Sequence, residues 1–187
     1  MGERQDRRVA RTRGRLIEAF NHLLLQRRRR PIRVADIVAE AKVGRSTFYD
    51  HYSGPEAIHL EAMARPFALL ADAAAGIGDP ERLAFLLRHF WENRQRARDS
   101  FGGRFGEKTS RLLADLVEER LAARRIETRI ARRIAAVQLA EAALAPVRAW
   151  VAGEAPCAAE TLADSLCRTG AQLAAALSAC AAQSTGT

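Results

Sequence analysis

The sequence predicts an all-α chain, a three-helix N-terminal segment followed by a longer helical bundle, and three observations carry that prediction. Apolar residues recur at intervals of three and four, the spacing that lines one face of an α-helix, and nothing alternates with period two long enough to form a sheet. Breaks rich in glycine or proline punctuate the pattern, at GIGDPE (76–81), SFGGRFGE (100–107) and AGEAP (152–156). Hydrophobic residues make up 48% of the 187, enough to bury a core in one domain or two small ones.

The elements follow in order. Leu16, Phe20, Leu23 and Leu24 form a stripe on a first helix expected over about residues 7–27. Val34, Ile37, Val38 and Ala41 do the same on a short second helix, 34–41, stopped by the turn around Val43 and Gly44. A third short helix is expected over 45–52. Pro55 and Glu56 open a longer fourth helix, 55–75, carrying Ile58, Met63, Phe67 and Leu70, with an internal Pro66 that should kink it. Asp79 is placed to cap the next helix, about 80–98, with Pro80 at its first position. After the glycine-rich interruption a helix is expected over about 108–124.

The last two helices are long, and each has a broad apolar face. Ile130, Ile134, Val137, Leu144, Val147 and Val151 lie on one, about 127–152, and Leu162, Leu166, Gly170, Leu173 and Leu177 on the other, about 157–180. The short link between them predicts an antiparallel hairpin. Small residues, including Gly170 and Ala174, would let backbones approach closely. The hairpin either completes the core of one subunit or packs against its twin in a four-helix dimer interface; apolar residues on more than one flank favour the second.

Charge divides the chain unevenly. Residues 1–54 hold 13 basic and 6 acidic side chains, whereas residues 55–187 hold 17 and 16. A polyanion is therefore steered to the first third. No apolar run reaches the roughly 18 residues needed to span a bilayer, since Pro146 and Arg148 interrupt the most hydrophobic stretch. The N-terminal arginines are not followed by the apolar core of a signal peptide, and the expectation is a soluble, cytoplasmic protein without membrane partner.

Catalytic and metal signatures are lacking. There is no phosphate loop, H-E-x-x-H, C-x-x-C or G-x-S-x-G, so the chain reads as neither an enzyme nor a cofactor or metal protein. Four histidines are scattered at 22, 51, 59 and 89, and Glu118 and Glu119 are adjacent, hence on different parts of a helix surface. Cys157, Cys167 and Cys180, 10 and 13 residues apart, fit neither a metal site nor an even disulfide set and read as buried or half-buried free thiols.

The stretch VGRSTFYDHYSG (43–54) carries the functional signal. Two short helices joined by a tight turn behind a longer helix form a helix-turn-helix, whose second helix can lie in a DNA major groove. Val43, Phe48 and Tyr52 fall at the spacing that faces the core. Arg45, Ser46 and Tyr49 share the opposite side, where an arginine can donate two hydrogen bonds to guanine and a serine can contact any base. Thr47 and His51 suit phosphate oxygens, which position the protein without reading sequence.

VADIVAEAKVGRSTFYDHYSGPEAI (34–58) resembles the helix-turn-helix of the TetR/AcrR family of bacterial transcriptional regulators, with its V-x-x-I-x-x-x-A-x-V-x-x-x-T-x-Y pattern. The resemblance covers residues 8–60; VRAWVAGEAP (147–156) also resembles the end of the family's penultimate helix and the loop after it. It implies a DNA-binding domain at 1–54 and a ligand-binding and dimerisation domain at 55–187. It further implies a homodimer, through about 127–152 and 157–180, on a palindromic double-stranded operator, usually a repressor released by a small molecule. In that mechanism a ligand among the middle helices shifts the helix of residues 55–75 and so the spacing of the two recognition helices. Base contacts are assigned to Arg45, Ser46 and Tyr49, and phosphate contacts to Thr47, Tyr49, His51 and Arg33.

Three positions depart from the pattern. Lys42 stands where the turn usually has a glycine in a left-handed backbone, Gly44 replaces a serine-like cap, and Pro55 replaces a phosphate-gripping lysine. The run Arg27 to Arg30 is available to supply the missing charge.

A ligand pocket, if present, is expected within residues 80–151, with Phe90, Trp91, Phe101, Phe105 and Leu116 available to line it. Gln138 and Glu141 interrupt an apolar stripe. Glu141 either faces a cationic or hydroxylated ligand, or is held in a salt bridge to an arginine such as Arg94 or Arg133 or exposed at the dimer rim, because an unpaired buried carboxylate is costly.

Overall fold

A computed structural model describes residues 2–26 and 31–179, which form nine helices. The run Arg27 to Arg30 and Cys180 lie outside the described residues. The chain divides into two compact units, Met1–Met63 and Ala64–Thr187; the division falls inside the fourth helix, beyond the boundary at 54 expected from the motif.

The first unit contains α1 (Gly2–Gln26), α2 (Val34–Ala41), α3 (Arg45–Tyr49) and the start of α4 (Pro55–Ala74). Its core follows the predicted stripes. Leu16, Ala19, Phe20 and Leu23 of α1 meet Ile37 and Ala41 of α2, with Phe48, Tyr52 and Ile58 closing the cluster. Burying an apolar side chain of this size contributes about 1.5–3 kcal/mol, so a few such contacts hold the short α2 and α3, which would be marginal alone. α3 is shorter than the expected 45–52. The chain nevertheless continues as a turn in which the Tyr52 N–H bonds the Phe48 carbonyl at 2.9 Å, keeping both rings on the core side.

The second unit contains the rest of α4, then α5 (Pro80–Glu92), α6 (Arg94–Phe101), α7 (Gly103–Ala123), α8 (Arg132–Ala152) and α9 (Ala159–Leu177). Pro66 stands inside α4, whose helix runs on past it. The Asp79 carboxylate accepts from the Glu81 and Arg82 N–H groups at 2.9 and 3.3 Å, with Pro80 at the first helical position, as a capped start requires. The expected single helix over 80–98 is broken at Asn93, and the glycine-rich interruption shrinks to Gly102, beyond which α7 begins at once. α8 ends at Gly153 with φ 83°, a left-handed cap suited to glycine.

α8 packs most extensively on α7, and α9 on α5 rather than on α8. An isolated antiparallel bridge joins Thr128 to Ser178, tying the chain before α8 to the end of α9. Gly170 is buried in α9, and a Cβ there would lie 2.0 Å from the Ala73 carbonyl oxygen of α4. The small residue thus serves close approach to α4. By length and composition α8 could cross a membrane, contrary to the expectation from Pro146 and Arg148, but half of its apolar window is buried inside the unit, the condition of a core helix.

Candidate nucleic-acid interface

The site is built on the turn between α2 and α3. Lys42 adopts φ 52° and ψ 48°, the left-handed conformation expected of a position that usually holds glycine. The Lys42 N–H bonds the Ala39 carbonyl at 3.3 Å and the Val43 N–H reaches the Val38 carbonyl at 3.1 Å, the paired closure that satisfies the last carbonyls of a helix. A lysine in this backbone costs about 1 kcal/mol relative to glycine. Arg15 offsets part of that cost: its guanidinium donates to the Ala41 carbonyl at 2.6 Å and to the Lys42 carbonyl at 3.3 Å, placing a cation at the negative end of α2.

α3 then starts at Gly44, which is extended and provides no side-chain cap. Phe48 is fully buried and Tyr52 nearly so, and the two rings lie 5.7 Å apart. With that side anchored, the other side is turned outward. Arg45 and Ser46 are exposed and Tyr49 is 55% exposed, its ring edge-on to Phe48 at 5.5 Å. Among the described residues no acceptor engages the Arg45 guanidinium or the Ser46 hydroxyl. Thr47 and His51 are half-buried at the flanks of this surface. Arg33 is exposed just before α2, its backbone N–H held by the Asp36 carboxylate at 3.0 Å.

A second layer holds α3 in place, and sequence spacing gave no sign of it. Arg13 forms a two-point ion pair with Glu61, through Nε at 3.2 Å and through Nη2, and its guanidinium lies 5.5 Å above the Tyr52 ring. Burial raises the Tyr52 phenol pKa, with the Glu61 carboxylate adding to the shift, so the phenol stays neutral. His59, packed edge-on to Phe20 at 5.6 Å, has its pKa lowered by burial. Partners so far apart in sequence meet only once the core is formed.

The residues considered for a ligand pocket are scattered. Phe90 and Phe101 are buried and pack edge-to-face at 5.2 Å, with Phe67 against Phe101 at 5.8 Å. Trp91 stacks on Trp150 at 4.9 Å and carries Arg94 over its face at 5.0 Å. It borders a groove of about 230 Å³ that also meets Arg88, Cys157 and Glu160. Glu141 lies in a different groove, about 340 Å³, between α7 and α8 with Ser110, Arg111 and Val137. Phe105 and Leu116 are half-buried and Gln138 is exposed, none of them lining either groove. Glu141 is paired, but with Arg148 at 3.1 Å; Arg133 instead meets Asp115 at 2.6 Å and Glu118 at 3.2 Å. Glu141 and Arg148 are seven positions apart, two turns along one face of α8, which the two long side chains span. Both described cysteines are free thiols; Cys167 is buried as expected, whereas Cys157, in the link before α9, is exposed. Among the described residues no group of His, Cys, Asp and Glu is placed to hold a metal ion.

No protein-family model matches the chain, and no curated protein does. Solved structures do. A TetR transcriptional regulator from Streptococcus agalactiae is 24% identical, over 91% of this chain and 99% of that one, with a TM-score of 0.52. Thermus thermophilus FadR, a TetR-family transcriptional repressor in complex with lauroyl-CoA, is 20% identical over 94% and 100%, with a TM-score of 0.53. The TetR-family repressor AlkX from Dietzia sp., implicated in n-alkane biodegradation, is 17% identical over 89% and 98%, with a TM-score of 0.55. The chain has the fold of TetR-family regulators.

Proposed function

We propose that this chain is a sequence-specific DNA-binding transcriptional regulator, a cytoplasmic homodimer that represses from a palindromic operator and is released by a small molecule. One observation carries the reading: Phe48 and Tyr52 fix α3 by one side while Arg45, Ser46 and Tyr49 stand exposed on the other. Arg45 is the base reader, suited to guanine O6 and N7. Ser46 and Tyr49 add weaker base contacts, and Thr47, Tyr49, His51 and Arg33 hold phosphates. The concentration of positive charge in residues 1–54 supports the same partner.

Exposed apolar residues around the start of α8 support the dimer. Ile134 and Val137 are 54% and 42% exposed, and Ile130 just before the helix is 37% exposed. A second copy covering this end, with the outer side of α9, would remove an apolar patch from water. Ile134→Glu with Val137→Lys should give a monomer by sedimentation and weaken operator binding.

The decisive experiment selects operators from random duplex DNA with the wild-type chain and with Arg45→Ala and Tyr49→Ala. A palindrome is expected for the wild type. Arg45→Ala should cost about 1–3 kcal/mol and relax specificity at one position of each half-site. Salt-dependent binding without any recovered motif would overturn sequence-specific regulation.

A second reading, the same regulator without a ligand, is favoured by the packing of Phe67, Phe90 and Phe101 where a pocket was expected. FadR was solved with an acyl-CoA, so lauroyl-CoA is the first probe. Release of the selected operator by it supports the ligand-responsive reading; no release by it or by a panel of other small apolar acids and cations supports the second.

A further inference from the structure

α1 is far longer than its core contacts require. Its first buried described residue is Leu16, and the cluster it joins uses no residue upstream. Residues 2–12 therefore extend roughly 15 Å, at 1.5 Å per residue, beyond the packed part of the helix. A helix without tertiary packing is marginal by itself. Val9 shows the lack of cover, at 38% exposure.

The projecting segment has a definite charged side. Arg8, Arg11 and Arg15 are spaced three and four apart, which places them on one face. The direction of that face is fixed by Arg15, whose guanidinium bonds the Ala41 and Lys42 carbonyls of the turn leading into α3. Arg8 and Arg11 continue the same line outward from the turn, and both are exposed. Among the described residues no carboxylate pairs with either. Like charges at such spacing destabilise an isolated helix by a few tenths of a kcal/mol, and no described carboxylate offsets Arg8 or Arg11.

We infer that this arm is a second DNA contact, in which Arg8 and Arg11 bind backbone phosphates of the duplex beyond the segment read by α3. The inference rests on the regulator reading above and adds a contact to it. Phosphates are the matching partner: a regular line of negative charge whose neutralisation strengthens binding and releases counterions. The contact positions the protein without reading bases.

The test measures affinity against salt concentration for the full-length chain and the Arg8→Ala, Arg11→Ala double variant on the selected operator. Alanine is the strongest helix former and both sites are exposed, so the fold is kept. The slope of log affinity against log salt should fall in magnitude by about 0.9 for each phosphate lost, about two in all, with the recovered motif unchanged. The Arg8→Glu, Arg11→Glu variant should bind more weakly still. An unchanged slope, with the wild type still selecting a motif, overturns the arm contact alone. A wild-type chain showing no salt-dependent duplex binding overturns the regulator reading, and the arm falls with it.

Discussion

Several arginines of the larger unit are paired with carboxylates, whereas an exposed set in the smaller unit is not. In the larger unit Arg120 meets Asp72 at 2.9 Å, Arg133 meets Asp115 and Glu118, Arg148 meets Glu141, Arg168 meets Asp164, and Arg88 meets Glu160. In the smaller unit Arg13 and Arg15 are committed to structure, while among the described residues no carboxylate meets the exposed Arg8, Arg11 or Arg45. The near-balance of charge over residues 55–187 and the excess over 1–54 thus correspond to different uses. Surface pairs of the first kind contribute little stability, about 0–1 kcal/mol each. The second kind keeps a field available for a polyanion.

The units should also fail separately, and the largest effect would separate them best. Phe48→Ala removes a fully buried ring from the smaller core and should cost about 3–5 kcal/mol. Hydrogen exchange should show α1 to α3 losing protection while α7 and α8 keep theirs. Gly170→Ala tests the larger unit, since the added Cβ would overlap the Ala73 carbonyl. A loss of about 1–3 kcal/mol or more is expected, read as a lower melting temperature of that unit. Lys42→Gly relieves the left-handed lysine and should stabilise the smaller unit by up to about 1 kcal/mol, raising its denaturation midpoint.

The smallest effect is a pH dependence. Burial lowers the His59 pKa below its ordinary 6.5, so on acidification the unfolded chain takes up a proton that the folded unit refuses. Stability is therefore full above about pH 6.5 and declines as pH falls from there towards the folded pKa. His59→Gln should flatten that part of the profile, as followed by denaturant titration at several pH values. A profile unchanged by the substitution would show that His59 is not its source.

Much of the smaller unit was legible because its signals are local. The spacing of Leu16, Phe20 and Leu23 and of Phe48 and Tyr52 gives the buried faces, and Lys42 at a glycine position gives the left-handed turn. Helix ends were less legible. The break at Asn93 carries no glycine or proline, and the glycines at 102, 103 and 106 promised a longer gap than the single residue observed. Gly170 was recognised as a close-approach residue, but its partner is Ala73, nearly a hundred residues away in sequence. Long-range pairs such as Arg13 with Glu61 leave no periodic trace. The aromatic contacts were hidden for a related reason: spacing shows that Phe90 and Phe101 point inward but not that Phe67 and Phe90 both pack on Phe101.

The aromatic residues also divide the molecule optically. The chain has two tryptophans and two tyrosines. Trp91 and Trp150 stack in the larger unit, and Tyr49 and Tyr52 both belong to the smaller. Tryptophan emission therefore reports the larger unit alone, and the stacked pair should give a near-ultraviolet circular dichroism signal that vanishes when that unit melts. Tyrosine emission reports the other unit, with one ring buried beside Phe48 and the other on the surface assigned to the groove. The unmodified protein thus carries a separate spectroscopic label on each of its two parts.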